Sequence, residues 1–159
     1  MTAAHAGYAL ESAVVPGDLD SVWDLIKPMT FKFNTKVSQA KRENGEEEGS
    51  LGQFSIAYTD NTVQTLRVVE ISERLPNKRS IGMELVCSDP PVSYSSRMDQ
   101  IVVSAVTHSD VPSVFIEFSS DFSTDATLEA IEDSKYKKRD FFNDLRSFLG
   151  PPGSAPSKA

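Results

Sequence analysis

The side chains best suited to chemistry are few in this chain and poorly spaced for it. There are two histidines, His5 near the start and His108 between two strand-like runs, and a single cysteine, Cys87. A metal centre needs several His, Cys or carboxylate ligands at close spacing, so no metal site is expected. No G-x-S-x-G elbow marks a nucleophile, and no phosphate-binding or dinucleotide-binding glycine pattern occurs. Cys87 has no intrachain disulfide partner. It follows an apolar strand, and the expectation is a small buried hydrophobe. The densest basic run is K-Y-K-K-R at 135–139. Lys135, Lys137, Lys138 and Arg139 could meet an anionic head group at a cavity mouth. On a helix, the simpler reading is a solvated face.

Composition narrows the function classes. The chain has 159 residues, 39% hydrophobic and 25% charged, which suits one globular domain. Its formal net charge of −7 argues against nucleic acid, because phosphate binding needs clustered Lys and Arg. The start, MTAAHAGYALES, lacks the charged and apolar regions of a signal peptide. No apolar stretch approaches a membrane span. These features, with a lone cysteine, suggest a cytoplasmic protein with no stable membrane insertion.

Such sparse chemistry would have to be positioned by the following elements. Tyr8 to Val15 reads as a first strand, broken by Pro16-Gly17. Asp18 then caps a short helix whose Leu19, Val22, Trp23 and Ile26 share one face. Trp23, the only tryptophan, therefore falls on the buried side. A second short helix is expected over Met29 to Asn34. Strand patterns follow at 36–43, 52–58, 63–73, 78–87, 95–107 and 111–122, with a hairpin signal at Thr59 to Thr62. In 52–58, Phe54, Ile56 and Tyr58 share a face. In 78–87, Ile81, Met83 and Leu85 share one. A long helix capped by Ser123 or Thr124 is expected to run from about Asp125 to Leu149, and residues 150–159 to form a disordered tail.

One strand, two short helices, six strands and a long helix describe an α+β arrangement: a seven-stranded antiparallel sheet wrapped around the C-terminal helix. Such a sheet twists, and only the long helix is large enough to fill its concave side. Where the filling is incomplete, a ligand cavity remains.

From Tyr8 to Leu149 the chain resembles the START-like superfamily with the helix-grip fold. That group includes birch-pollen-allergen-like proteins, polyketide cyclase/dehydratase-like proteins and plant abscisic-acid receptors. The resemblance rests on P-G-D-L-D-S-V-W-D-L-I after strand one, L-G-Q-F at 51–54, R-V-V-E-I-S at 67–72, and F-S-S-D-F before a helix closing in F-F-N-D-L-R-S-F-L. The V-W pair is closest to the cyclase-like branch and implies a structural role for Trp23. Some relatives carry G-x-x-R on the third strand and E-R-L on the fourth, whose Arg and Glu face the cavity. Here the matching positions read Ser55 and Leu66, so the resemblance implies a cavity without its usual acid and base. For strand three, alternation places Phe54, Ile56 and Tyr58 inward, against a motif alignment that would place Ser55 and Ala57 there.

The resulting expectation is a carrier or sensor of a hydrophobic small molecule, lipid-like or polyketide-like, needing no cofactor and having no catalytic residue. Its ligand would meet Phe54, Ile56, Tyr58, Leu66, Val68, Ile81, Met83, Leu85, Met98, Val102, Val114, Ile116 and Phe118 from the sheet. Phe141, Phe142 and Leu145 would face it from the helix. Two alternatives stand beside it. One is a cyclase/dehydratase-type enzyme using Tyr58, Arg67, Glu70 or Gln100. The other is a protein-interaction module with a filled cavity and a protein partner.

Overall fold

A computed structural model describes residues 6–43 and 47–151. His5, residues 44–46 of the acidic turn and residues 152–159 of the expected tail lie outside the described residues.

Strand β1 (Gly7–Pro16) leads into helix α1 (Leu19–Ile26). Asp18 caps that helix, its carboxylate accepting from the Ser21 N–H, and Leu19, Val22, Trp23 and Ile26 form the buried stripe. The second short helix is absent. Met29 and Phe31 have φ of +54° and +52°, a left-handed conformation that no helix can continue through. The segment is instead an irregular crossing that turns Met29 and Phe33 into the core.

Strands β2 (Val37–Arg42), β3 (Gly52–Tyr58), β4 (Val63–Arg74), β5 (Lys78–Asp89), β6 (Arg97–Ala105) and β7 (Ser113–Phe122) follow at hairpin spacing. The sheet order is β1-β7-β6-β5-β4-β3-β2, antiparallel throughout, so the first and second strands are the two edges. Polar, short β2 makes a poor template for edge pairing.

Two bulges between β4 and β5 adjust which side chains face inward. In β4 the pairing passes from Val68 opposite Met83 to Glu70 opposite Gly82, leaving Val69 extra. In β5 it passes from Leu85 opposite Leu66 to Cys87 opposite Thr65, leaving Val86 extra. An extra residue flips every side chain beyond it to the other face. Cys87 is therefore exposed, not buried as the apolar run suggested.

Helix α2 (Leu128–Leu149) starts later than the capping residues in the sequence implied. Thr127 is the N-cap, accepting from the Ala130 N–H, while Ser123 and Asp125 instead hold the Ser95–Ser96 backbone. Gly150, at φ +78°, ends the helix by donating to the Arg146 carbonyl. The helix tracks β1 in the same direction. Ile131 lies against Gly7, Arg139 bonds Glu11 and Arg146 reaches the Val14 carbonyl. Its inner stripe of Lys138, Phe141, Phe142, Leu145 and Leu149 closes onto the concave face of the sheet. This is the seven-stranded helix-grip architecture expected from the order of hydrophobic periods.

Candidate ligand-binding cleft

Helix α2 and the sheet pack tightly at one end and part at the other. The packed end holds Val15, Ile101, Val103, Val114, Ile116 and Leu145, each fully buried. The parted end is a cleft enclosing about 70 Å³. Phe54 and Ile56 of β3, Leu66 of β4, Met83 of β5, Phe118 of β7 and Phe141 of α2 line it, with Phe31 from the α1–β2 segment. Phe141 is the hinge of this lining. Its ring meets Phe31, Phe33, Phe118 and Phe142 edge-on, at centroid distances of 5.1–6.4 Å.

Alternation along β3 decides the lining correctly: Phe54 and Ile56 are buried and face the cleft with Tyr58. Several other residues of the expected set stand elsewhere. Val68, Ile81, Val114, Ile116, Phe142 and Leu145 are buried in the filled core, and Leu85 packs half-buried against it; none of them lines the cleft. Met98 and Val102 are on the opposite face. In β6 the inward set is Arg97, Asp99, Ile101 and Val103, so Met98 and Val102 point away from α2, and Met98 is 43% exposed. Of the residues considered as substitute acid–base groups, only Tyr58 lines the cleft. Glu70 and Gln100 line a separate depression, and Arg67 pairs with Glu84.

The polar wall of the cleft was not foreseen. Gln64, Arg97, Asp99, Ser134, Lys137 and Lys138 complete the lining with Tyr58, Asn34 and Val37. Arg97, part-buried, and Asp99, buried, form an ion pair at 3.0 Å, reinforced by a bond from Arg97 Nε at 3.1 Å. Arg97 also donates to the Tyr94 hydroxyl at 2.9 Å and to Gln64 Oε1 at 3.3 Å. The other Asp99 oxygen accepts from the Ser120 hydroxyl. Ser120 in turn accepts from Lys138 Nζ at 2.6 Å, which also donates to Ser134 Oγ at 2.7 Å. The Lys138 ammonium stands 4.6 Å from the Phe118 ring centroid. One chain, Gln64–Arg97–Asp99–Ser120–Lys138–Ser134, thus runs across the cleft from β4 to α2.

Burial sets the protonation of this wall. It pulls the Lys138 ammonium down from its usual 10.5 to about 8, against the pull of Asp99. It pushes the Tyr58 phenol up to about 12. Burial is the largest influence on the Arg97 charge and works against it, but Asp99, Tyr94 and Tyr58 together outweigh it and raise its pKa. At neutral pH the wall therefore presents the Tyr58 phenol, the Lys138 ammonium and the Arg97 guanidinium as donors, with the Lys137 side chain at its edge. Asp99, with both oxygens occupied, is not a free base. The arrangement suits holding a polar group at the edge of an apolar recess. It offers no unoccupied carboxylate or imidazole to move a proton.

Lys138 is 4% exposed, so the solvated-face reading of K-Y-K-K-R fails for that residue. A signal was present: Lys138 lies three, four and seven residues before Phe141, Phe142 and Leu145, on their stripe. Likewise Arg97 and Asp99 alternate in phase with Ile101 and Val103. Its neighbours keep the solvated reading. Lys137, above the Tyr58 ring at 4.9 Å and 3.7 Å from Asp133, stands where the cleft meets two shallower depressions of about 170 and 290 Å³. Lys135 pairs with Glu132 and Arg139 with Glu11. Trp23 is buried at 3% exposure and does not line the cleft. Among the described residues, no group of His, Cys, Asp and Glu could hold a metal ion, and no helix is long and apolar enough to cross a membrane.

No family model matches the chain, and no curated protein does. Solved structures do. A protein from Nitrosospira multiformis is 19% identical, with a TM-score of 0.73 over 90% of this chain and 96% of that one. The major latex-like protein 151 of Panax ginseng is 14% identical, with a TM-score of 0.66 over 92% and 99%. A START superfamily protein from Mycobacterium smegmatis is 10% identical, with a TM-score of 0.62 over 91% and 99%. At these identities the likeness is one of fold, and the fold is START-like and birch-pollen-allergen-like.

Proposed function

We propose that this protein binds a small hydrophobic molecule in the cleft between β3–β7 and α2. The observation that supports this most is the cleft's division into an apolar floor and a hydrogen-bonding wall. Apolar ligand pockets carry a few placed polar groups of this kind to fix orientation. A filled core would have no need to bury Asp99 and Lys138 and half-bury Arg97, since apolar residues of similar volume often pack there at equal or better stability. The enclosed volume of about 70 Å³ is small beside an engineered cavity of roughly 150 Å³ that admits benzene. Entry of a larger molecule therefore requires Lys137 to swing away and join the cleft to its neighbouring depressions. The Lys137 side chain is 42% exposed and is held by its Asp133 pair and the Tyr58 ring.

The same small volume favours a second reading, a protein-interaction module whose interior is never occupied. Titration of the protein with N-phenyl-1-naphthylamine, a neutral fluorescent probe, separates the two. The ligand-binding reading expects saturable enhancement at micromolar probe. Burying about 300 Å² of probe surface contributes roughly 7 kcal/mol before association costs. No saturable binding to a folded protein rejects that reading in favour of the interaction module.

A further inference from the structure

We propose that the cleft selects ligands whose apolar body ends in one anionic head, above all a carboxylate, seated against Lys138 and Arg97. This rests on the ligand-binding reading and narrows it. The argument begins with a charge count in the wall. Arg97, Asp99 and Lys138 belong to one hydrogen-bonded chain; the lysine is buried at 4% exposure and the aspartate at 7%, and the arginine side chain is part-buried at 13%. Two are cations and one is an anion. The chain holds one surplus positive charge on the edge of an apolar recess, where an unmatched charge is costly.

Connectivity places that surplus on Lys138. One Asp99 oxygen is taken by Arg97 and the other by the Ser120 hydroxyl. Lys138 therefore meets Asp99 only through Ser120. Its ammonium spends two donors on Ser120 and Ser134, which leaves a third N–H. With its pKa lowered only to about 8, it remains a cation at neutral pH. A carboxylate at this position would accept a charge-assisted bond from Lys138. The Tyr58 phenol, held protonated, lines the same cleft as a further donor. Meanwhile Phe54, Leu66, Met83 and Phe118 would take the apolar body. An alcohol head would gain a hydrogen bond without relieving the charge. An ammonium head would add a third cation. The protein as a whole carries −7, so a preference for anions has to come from the site itself.

Calorimetric titration at pH 7 with octanoate, 1-octanol and octylamine, each below its aggregation limit, tests the proposal. Wild type should bind octanoate at least about tenfold tighter than octanol, with no measurable octylamine binding. Lys138→Met should weaken octanoate by about tenfold or more and octanol by less, so that the octanoate preference disappears. Arg97→Gln removes the surplus differently and should also erase the octanoate preference, which covers the case that Lys138→Met fails to fold. Equal binding of octanoate and octanol by wild type overturns the anionic-head inference but leaves the ligand-binding reading intact. A Lys138→Met protein that still prefers octanoate overturns it too. If wild type binds neither octanoate, octanol nor the neutral naphthylamine probe, both fall.

Discussion

The Trp23 indole N–H donates to Glu73 Oε1 at 3.1 Å, and the Lys27 ammonium reaches the same oxygen at 2.8 Å. This ties α1 to the end of β4, remote from the cleft lining. The bonds with Lys27 and Trp23 hold the Glu73 carboxyl below its usual pKa. The indole itself is 3% exposed and packs with Val22, Ile26 and Met29 in the core.

Trp23→Ala should therefore destabilise the fold by about 3–5 kcal/mol, as other large aromatic truncations in cores do. Trp23→Phe should cost less, and Glu73→Gln should leave Tm nearly unchanged because an amide oxygen still accepts from the indole. Urea unfolding followed by circular dichroism measures all three. Ligand affinity per folded molecule should not change. A Trp23→Ala protein that melts like wild type and has lost its probe would reassign the tryptophan to the ligand site.

Asp99 is the only anion in the buried wall, bonded to Arg97 and Ser120. Asp99→Asn keeps the shape but leaves the buried Lys138 and the part-buried Arg97 without a counter-charge. Breaking a buried pair in this way costs about 3–5 kcal/mol. Lys138→Met removes the surplus cation and should be neutral or stabilising, by up to about 2 kcal/mol at pH 7. Opposite signs for the two variants in urea unfolding are the expected result. A destabilising Lys138→Met would mean that its bonds to Ser120 and Ser134 outweigh the burial of its charge.

Lys138 also predicts how stability changes with pH. It faces Asp99 and Arg97 from β6 and Glu11 from β1, with Lys137 beside it on α2. Burial lowers its folded pKa from 10.5 to about 8. Between those values the unfolded chain binds more protons than the folded one, so stability rises with pH. The gain is fully absent below about pH 8 and complete above about pH 10.5, on the order of 3 kcal/mol. Other groups titrate in that range, so the quantity to measure is the unfolding free energy of wild type minus that of Lys138→Met. It should climb from pH 7.5 to pH 10. A flat difference would show that Lys138 keeps an ordinary pKa.

The order of elements was legible because hydrophobic period survives most local detail. Leu19, Val22, Trp23 and Ile26 announce a helix, and Ile81, Met83 and Leu85 announce a strand, whatever surrounds them. What period cannot show is an inserted residue. The bulge at Val86 flips the strand beyond it, and Cys87 emerges on the outside. Left-handed Met29 and Phe31 likewise have no sequence signature, since neither is a residue that favours that conformation. In the cleft, attention to apolar runs found Phe54, Ile56, Leu66, Met83, Phe118 and Phe141 but passed over their polar neighbours. Arg97, Asp99 and Lys138 were in phase with the core all along. For Lys138 charge suggested exposure, and the Ser120 hydroxyl and Asp99 carboxylate that make its burial tolerable come from strands distant in sequence.

Leu66 provides the decisive test of whether the cleft is used. It is 4% exposed and stands between the packed core and the cleft, opposite Phe54 on β3 and Leu85 on β5. Leu66→Trp should direct a larger ring into the cleft that Leu66 lines, roughly 70 Å³. That space is too small to take the ring without adjustment, so a cost of about 1–3 kcal/mol is expected from overpacking. The protein should remain folded at room temperature and lose naphthylamine binding altogether. Leu66→Ala should do the opposite. It enlarges the cleft, costs about 2–5 kcal/mol in lost packing, and admits the probe as well as wild type does or better. Thermal melts of the three proteins with and without probe read both effects together, because a ligand that binds only the folded state raises Tm. The ligand-binding reading expects probe to raise Tm for wild type and Leu66→Ala and to leave Leu66→Trp unmoved. A Tm shift that persists in Leu66→Trp would place the probe elsewhere on the molecule, and with it the function assigned to this cleft.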